Sequence, residues 1–584
     1  MTSLIKYRLV IVFALFFSVI IISPRIIAIF SIPSSDFNSI YPYFVEDELH
    51  YAARINAVLN NGILTGNPYI FEHMNDMAIQ ANFPEAIVAI IAILSGSSVS
   101  LAMLLSIFLF IFIDYILVYA IIFQNTRSKY LSILFTSIFF ILFIQTFGRP
   151  ISPQLNISLL LIAVYYLNFL LINRDGVNQR NVHAILGVLS GILLFVTPYY
   201  WTTILVLYGL VVTYRAYSER SVQILKNMVF NFLPYFLVFL LPFIYMSFIS
   251  SGLSGYADGS SRFGVIKTHF PGAWSNIVLV CLVSISLYMS RKNIKKEALV
   301  YGWVLLLSVI LLNWHNVVTG IYFQFSSHYL VVTILFVVMV LSIVTSSVVK
   351  SDLGRYKKIL LFTPVVLILC VMFYVQKYEI KLLLNQRITP ESFRELQEYS
   401  SIFSWLNTNT PKDSVVYSLG GEYANLVPVY THNKVYTNLY ITIFPITDKE
   451  VQDRWIINNI FNIDIDKEFV LRNEKELWMN RYVDSYFYNK NMNRLLSLLG
   501  IGGEISETRI PEAEIQGILK DYRNIRNLKL EEIFNMYNMD YIILDPRYSF
   551  YNDAKSILNN LAFINKVVSF DGTVVYELNK SKNI

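Results

Sequence analysis

Between the first and second long apolar runs of this 584-residue chain lies Glu46-Asp47-Glu48-Leu49-His50, followed by Tyr51 and Arg54. Carboxylates this close repel, which raises one pKa, while a neighbouring Arg54 or His50 lowers another. A carboxylate poised in this way can act as a general base toward an acceptor hydroxyl, or ligate a divalent metal through oxygen. The same acids also suit a solvated helix start, because Asp and Glu are favoured at a helix N-terminus. In the stretch that follows, Leu49 to Leu59, the residues Ala52, Ile55, Val58 and Leu59 share one face. A helix there would hold the acids at a membrane surface.

A membrane body must position them. Hydrophobic residues make up 55% of the chain and charged residues 15%, against about 25% charged in an ordinary soluble domain. That composition excludes a soluble multidomain enzyme, a disordered chain and a disulfide-rich secreted scaffold. Cys281 and Cys370 lie in apolar runs with no CxxC or Cys/His cluster, and are expected as buried apolar side chains.

Apolar runs near the length of a spanning helix occur at 9–32, 97–123, 130–147, 155–172, 183–197, 199–214, 227–249, 274–290, 298–314, 328–348 and 358–376. They predict a polytopic α-helical membrane protein of about eleven spans. The first run continues past Pro24 and Arg25 with no small-residue cleavage site, so it is expected to be an uncleaved anchor. Residues 1–376 hold 22 Lys+Arg and 13 Asp+Glu, a net +9, and the remainder is net −3. With a cytoplasmic N-terminus, alternation leaves only Arg25, Arg54, Arg149, Arg262 and Lys267 of those 22 outside or within a span. A positive-inside bias therefore accounts for the basic excess, and no nucleic-acid partner is implied. The apolar segment Pro84 to Leu94 is too short to cross and would reverse this parity, so it is expected to lie in the interface, within a first outer loop of residues 33–96.

Residues 377–584 are expected to form a soluble extracytoplasmic α/β domain. Short β-rich runs stand at Ser414 to Ser418, Tyr541 to Leu544 and Thr573 to Leu578, with helical periodicity at Pro390 to Leu406 and Leu528 to Tyr537. The Tyr- and Asn-rich middle, 436–500, gives no strand order.

The acidic cluster, the span before it, the interfacial segment after it and the many spans leading to an outer soluble domain resemble the GT-C class of membrane glycosyltransferases. Asp47-Glu48-Leu49-His50-Tyr51 is similar to the Asp-Glu-x-His-aromatic motif in the first outer loop of protein O-mannosyltransferases, and Arg54 with Asn61-Gly62-Ile63-Leu64 resembles the corresponding loop of bacterial and archaeal relatives. The layout also resembles the lipid A aminoarabinose transferase family. Gly187-Val188-Leu189-Ser190-Gly191 leading to Pro198-Tyr199-Tyr200 resembles the short helix pair of the class, without the lysine that some members carry at that corner. The resemblance implies a catalytic 1–376 region, a polyprenyl-phosphate sugar as donor, inversion at the anomeric carbon, and a lipid, glycan or protein acceptor. It carries the role of catalytic base onto Asp47 with Glu48 as partner, while Glu46 leaves a one-residue shift open.

Such a reaction needs cationic or hydrogen-bonding partners for the departing phosphate. The candidates are Arg149 in Gly148-Arg149-Pro150, Arg262 and Lys267 with His269, and His328; His50, Arg54, Tyr199, Tyr200 and His315 are candidates for holding substrate. Arg262 and Lys267 are in or next to a Gly/Ser-rich loop, 250–264, which reads as a mobile lid or a disordered connector. His315 and His328 flank an aromatic loop with Trp314, Tyr322 and Phe323, residue types that are also ordinary interfacial anchors. No cofactor is specified and a divalent metal is open. The expected site is a multi-pass cell membrane. The alternative is a transporter, or a lipid-linked glycan flippase or ligase, against which stands the scarcity of ionisable residues within the spans, where only Asp114 is clearly placed.

Overall fold

The computed structural model describes residues 2–45, 47–77, 81–172, 179–262, 266–322, 328–352, 354–377, 381, 390–502, 505 and 509–579. Glu46 and Phe323 lie outside these residues.

Apolar runs longer than a soluble helix requires become helices at every predicted span: α1 (Thr2–Phe30), α4 (Val99–Thr126), α5 (Lys129–Leu142), α6 (Gln154–Ile172), α7 (Gln179–Leu194), α8 (Pro198–Ser218), α9 (Gln223–Ser251), α11 (Trp274–Ser290), α12 (Lys296–Asn313), α14 (His328–Lys350) and α15 (Arg355–Val375). Two short helices, α2 (Asp47–Asn61) and α3 (Phe83–Ser95), lie between α1 and α4; α10 (Tyr256–Arg262) and α13 (His315–Thr319) sit in later connections. Eight described helices are long and apolar enough to cross a membrane, which makes this a polytopic membrane protein. The other three predicted spans, α5, α7 and α8, are not among those eight, and α8, at 21 residues, is longer than the short partner expected for α7. Nearly all of α14 is enclosed by its neighbours, whereas α9 and α15 are peripheral. Cys281 on α11 and Cys370 on α15 are exposed on the bundle surface, contrary to the expected burial, because an apolar run facing lipid and one facing the core have the same composition.

Two glycines set one helix contact. A Cβ at Gly187 would stand 2.5 Å from the Phe232 carbonyl oxygen, and one at Gly191 would stand 2.5 Å from the Phe239 ring, so α7 and α9 meet where α7 has no side chain. Gly191→Leu is expected to push these helices apart and cost about 1 to 3 kcal/mol or more, read as a lower melting temperature in detergent.

α3 buries Glu85, Val88, Ala89 and Ala92 and exposes Ile90, Ile93 and Leu94, the two-faced pattern of an interfacial helix. Within the Gly/Ser-rich stretch 250–264, read as a lid or a connector, the described residues include α10, which Arg262 holds in place as described below. After α13, strand β2 (Ile321–Tyr322) pairs antiparallel with β1 (Ile266–Lys267).

Past α15 come α16 (Pro390–Gln397), α17 (Ser400–Asn409) and α18 (Tyr423–Tyr430), around a five-stranded sheet ordered β4-β3-β5-β7-β6. Strands β3 (Val415–Leu419), β5 (Tyr541–Leu544) and β7 (Thr573–Leu578) occupy the predicted runs. β4 (Lys434–Val435) is too short to leave a periodic signal, and β6 (Ile564–Phe570) is a largely exposed edge strand whose alternation is broken by a bulge between Lys566 and Val568. β4, β3 and β5 are parallel, while β5, β7 and β6 are antiparallel. The 436–500 segment is helical, including α19 (Asp448–Asn458), which covers one face of the sheet with Trp455, Ile456 and Ile457.

The other sheet face decides the architecture. Val416, Ile543 and Val575 share one core with Leu49, Ala52 and Ile55 of α2, Val88 of α3 and Met103 of α4. The C-terminal domain is thus packed on the first loop, with α18 lying against α2. The Val435 N–H donates to the Tyr69 carbonyl at 2.8 Å, which closes the β4 edge with first-loop backbone.

Charge reinforces this contact. His73 lies between Asp76, 2.6 Å from Nδ1, and Glu450, 2.9 Å from Nε2. Fully buried Arg454 joins Glu450 to Glu72 at 2.8 and 2.9 Å. Burial opposes protonation of His73, but hydrogen bonds and charge from Glu450 and Asp76 outweigh it and raise its pKa above the ordinary 6.5. A raised histidine pKa adds stability that is fully present below its unfolded value and is lost as pH rises through the folded value. Thermal stability is therefore expected to fall from mildly acid to mildly alkaline pH, and His73→Phe to flatten that slope.

Candidate functional site

Neighbouring residues on a helix point about 100° apart, so the two acids opening α2 cannot share an environment. Glu48 turns inward, with its side chain 6% exposed, and pairs with Arg25 from the end of α1. It also accepts from the Phe44 N–H at 3.3 Å, and Arg25 lies over the Phe44 ring, 4.8 Å from its centroid. Burial pushes the Glu48 carboxyl up, and the Arg25 charge opposes it. Asp47 turns outward, 47% exposed, and pairs with Arg149, itself 26% exposed. Arg149 enters from the loop between α5 and α6, directly after the 3-10 turn Thr146–Gly148. Two acids on one helical turn are therefore held by arginines from two different elements.

Along α2 the other candidates are mostly inward. His50 is buried, its Nδ1 2.9 Å from the Tyr69 hydroxyl and its ring 5.1 Å from that of Tyr440. Burial, aided by Arg54, holds its pKa well below the ordinary value, so it is a neutral imidazole packed against the C-terminal domain. Arg54 pairs with Glu85 at 3.1 Å and donates to Asn82 Oδ1 at 2.8 Å, tying α2 to α3. These are contacts that fix the loop.

The bundle supplies the opposite wall. Arg149 lies within electrostatic reach of Tyr51, Tyr200 and His328. The Tyr199 ring is 4.9 Å from that of His328 and 5.1 Å from that of Tyr329, and the His315 ring is 6.1 Å from Tyr329. So Asp47, Arg149, Tyr199, Tyr200, His328 and His315 form one continuous neighbourhood. Tyr51 belongs to it as well, since Arg149, Asp47, Glu85 and Arg54 all act on its hydroxyl, whose pKa burial raises. Sequence reasoning assigned no role to Tyr51 or Arg25. The available signal was the isolated positive charge of Arg25 at the end of the first apolar run.

Three candidates sit elsewhere. Arg262 is fully buried and spends its guanidinium on Asp448 and on the carbonyls of Thr442, Phe444 and Ile446, the last at 2.6 Å. Arg481 joins the same Asp448 at 2.7 Å. Arg262 is a clamp between α10 and the C-terminal domain: four of its five N–H donors are engaged and the side chain is fully enclosed, so it is not presented to a substrate phosphate. Lys267 is exposed on the β1–β2 ladder, and His269 Nδ1 is 3.1 Å from the Val317 carbonyl oxygen. Asp114 on α4 is buried and accepts from Ser158 of α6.

No protein-family model and no curated protein matches the chain. Among solved structures it is similar to the crystal structure of the Archaeoglobus fulgidus oligosaccharyltransferase in its apo form, with 12% identity and a TM-score of 0.33. That match covers 75% of this chain and 66% of the other, so the chain spans slightly under two thirds of its length.

Among the described residues no group of three or more His, Cys, Asp and Glu side chains could hold an ion, and Asp47 and Glu48 each face an arginine. What the neighbourhood offers is one accessible carboxylate beside one accessible guanidinium, rimmed by aromatic and imidazole groups.

Proposed function

We propose that this chain is an inverting membrane glycosyltransferase that moves a sugar from a polyprenyl-phosphate donor to an acceptor on the outer face of the cell membrane, with the N-terminus cytoplasmic and all eleven apolar helices crossing. The observation that carries the reading is the Asp47–Arg149 pair, an accessible base held beside an accessible cation at the bundle end that carries the first loop.

Asp47 accepts the acceptor's proton as the hydroxyl attacks the anomeric carbon, and the transition state resembles an oxocarbenium ion. Arg149 meets the charge that grows on the departing phosphate. In the unliganded chain the two neutralise each other. A donor phosphate drawing Arg149 to itself would release Asp47 at the moment an acceptor is needed. Arg149 Nε, buried and without a partner among the described residues, is a further donor for such an anion. Tyr199, Tyr200, Tyr51 and His328 would line the sugar, and Glu48, with Arg25, sets the direction of α2.

The test is transfer by purified protein from a panel of polyprenyl-phosphate sugars. Wild type is expected to turn over at least one donor, and Arg149→Ala to lower its rate by about 10²-fold. Absence of turnover with every donor overturns the reading.

A further inference from the structure

Outside the carboxyl ends of the parallel strands β3 and β4 lies an open cleft, lined by the residues that follow both strands. Its floor is backbone. Gly420 and Gly421 leave β3 at φ +82° and +65°, and a Cβ on Gly420 would stand 2.8 Å from Tyr548, so this turn admits no side chain and opens space beside the strand end.

The walls carry Ser418, Thr437, Asn425, Asn438 and Asn458, two carboxylates, Glu422 and Glu476, and the aromatic side chains Tyr43, Tyr440 and Trp455. Among the described residues no lysine or arginine lines it. That inventory disfavours phosphate and other anions. Amide side chains both donate and accept, carboxylates accept, and aromatic rings cover apolar faces, which together suit a ligand dense in hydroxyl groups and without negative charge. A peptide adding a strand beside this cleft would need an open edge there, and the β4 edge is already closed by Tyr69. The cleft also reaches the first loop: Tyr43 and Leu49 line it and equally line the smaller cavity that holds Arg25, Glu48 and Pro150. Leu49 is two residues from Asp47.

We propose that this cleft binds a neutral oligosaccharide and presents it to the first loop as the acceptor. The acceptor role rests on the transferase reading above, whereas the binding role does not. Full-length protein carrying Asp47→Asn, with no donor added so that no transfer takes place, is titrated with a panel of neutral hexose and N-acetylhexosamine oligosaccharides, an anionic polysaccharide and an unstructured peptide. Binding of at least one neutral oligosaccharide is expected, weakened about tenfold by Asn458→Leu and abolished by Ala424→Phe, which fills the cleft from its wall. Both variants should melt as the parent does, and a variant that does not is replaced by Asn425→Leu. Binding of no neutral oligosaccharide, preference for the peptide or the anionic polymer, or equal binding by cleft-filled protein overturns the proposal. Binding without turnover by the wild-type chain leaves the cleft assignment standing and removes the transferase reading.

Discussion

Asp47→Asn is expected to lower sugar transfer by about 10²- to 10⁴-fold, the range for loss of a general base, with little change in donor binding. The substitution keeps the size of the side chain and a hydrogen-bond acceptor for Arg149, and removes the charge that takes the proton. A base acting only in the transition state affects kcat and kcat/KM alike, whereas a residue that merely positions the donor changes KM. Glu48→Gln separates the two acids. Glu48 is enclosed and committed to Arg25 and the Phe44 N–H, so it has no path to an acceptor. Its replacement should act through the placement of α2 and leave a measurable rate. If Asp47→Asn retains full activity, the base is another group, and Tyr51 is the nearest alternative in the same neighbourhood.

Arg25→Met is expected to cost about 3 to 5 kcal/mol of stability, because removal of one partner leaves a buried charge alone. Both side chains of the Arg25–Glu48 pair are 6% exposed, so water does not replace the lost partner. The pH dependence distinguishes this mechanism from simple loss of packing. Burial already raises the Glu48 carboxyl above the ordinary 4.5, and without Arg25 it rises further. A carboxyl whose folded pKa lies above its unfolded value binds its proton more readily when folded, so the deficit should shrink as pH falls through the folded value. Adding Glu48→Gln, which retains an acceptor for Phe44, should recover most of the loss at neutral pH. A double variant no more stable than Arg25→Met alone would show that the two residues are not coupled.

The residues divide by how far their signals reach along the chain. Apolar run length alone placed a helix at each of eleven positions, since burying backbone in hydrocarbon leaves helix as the local solution. The alternating β-rich runs placed β3, β5 and β7 from a local pattern, whereas β4 is only two residues long and a bulge breaks the alternation of the edge strand β6. The acidic cluster was visible as composition. Which acid points outward was not, because Asp47 and Glu48 are adjacent in sequence and separated only by the rotation of α2 and by the arginines that meet them, 102 residues away in one case and 23 in the other.

Arg262 shows the converse. As a lone cation in a Gly/Ser-rich connection it reads as available, and only the folded chain supplies Asp448 and three carbonyls that consume it. The C-terminal domain likewise reads as a separate soluble unit, yet its sheet completes the core of α2 and α3. Sequence alone determined what is local: the helices of the membrane body, most of the sheet and the loop that carries the acids. Tertiary structure decided which charges remain free, because an ionic side chain is neutralised by whichever partners packing brings to it, and those partners lie tens to hundreds of residues away.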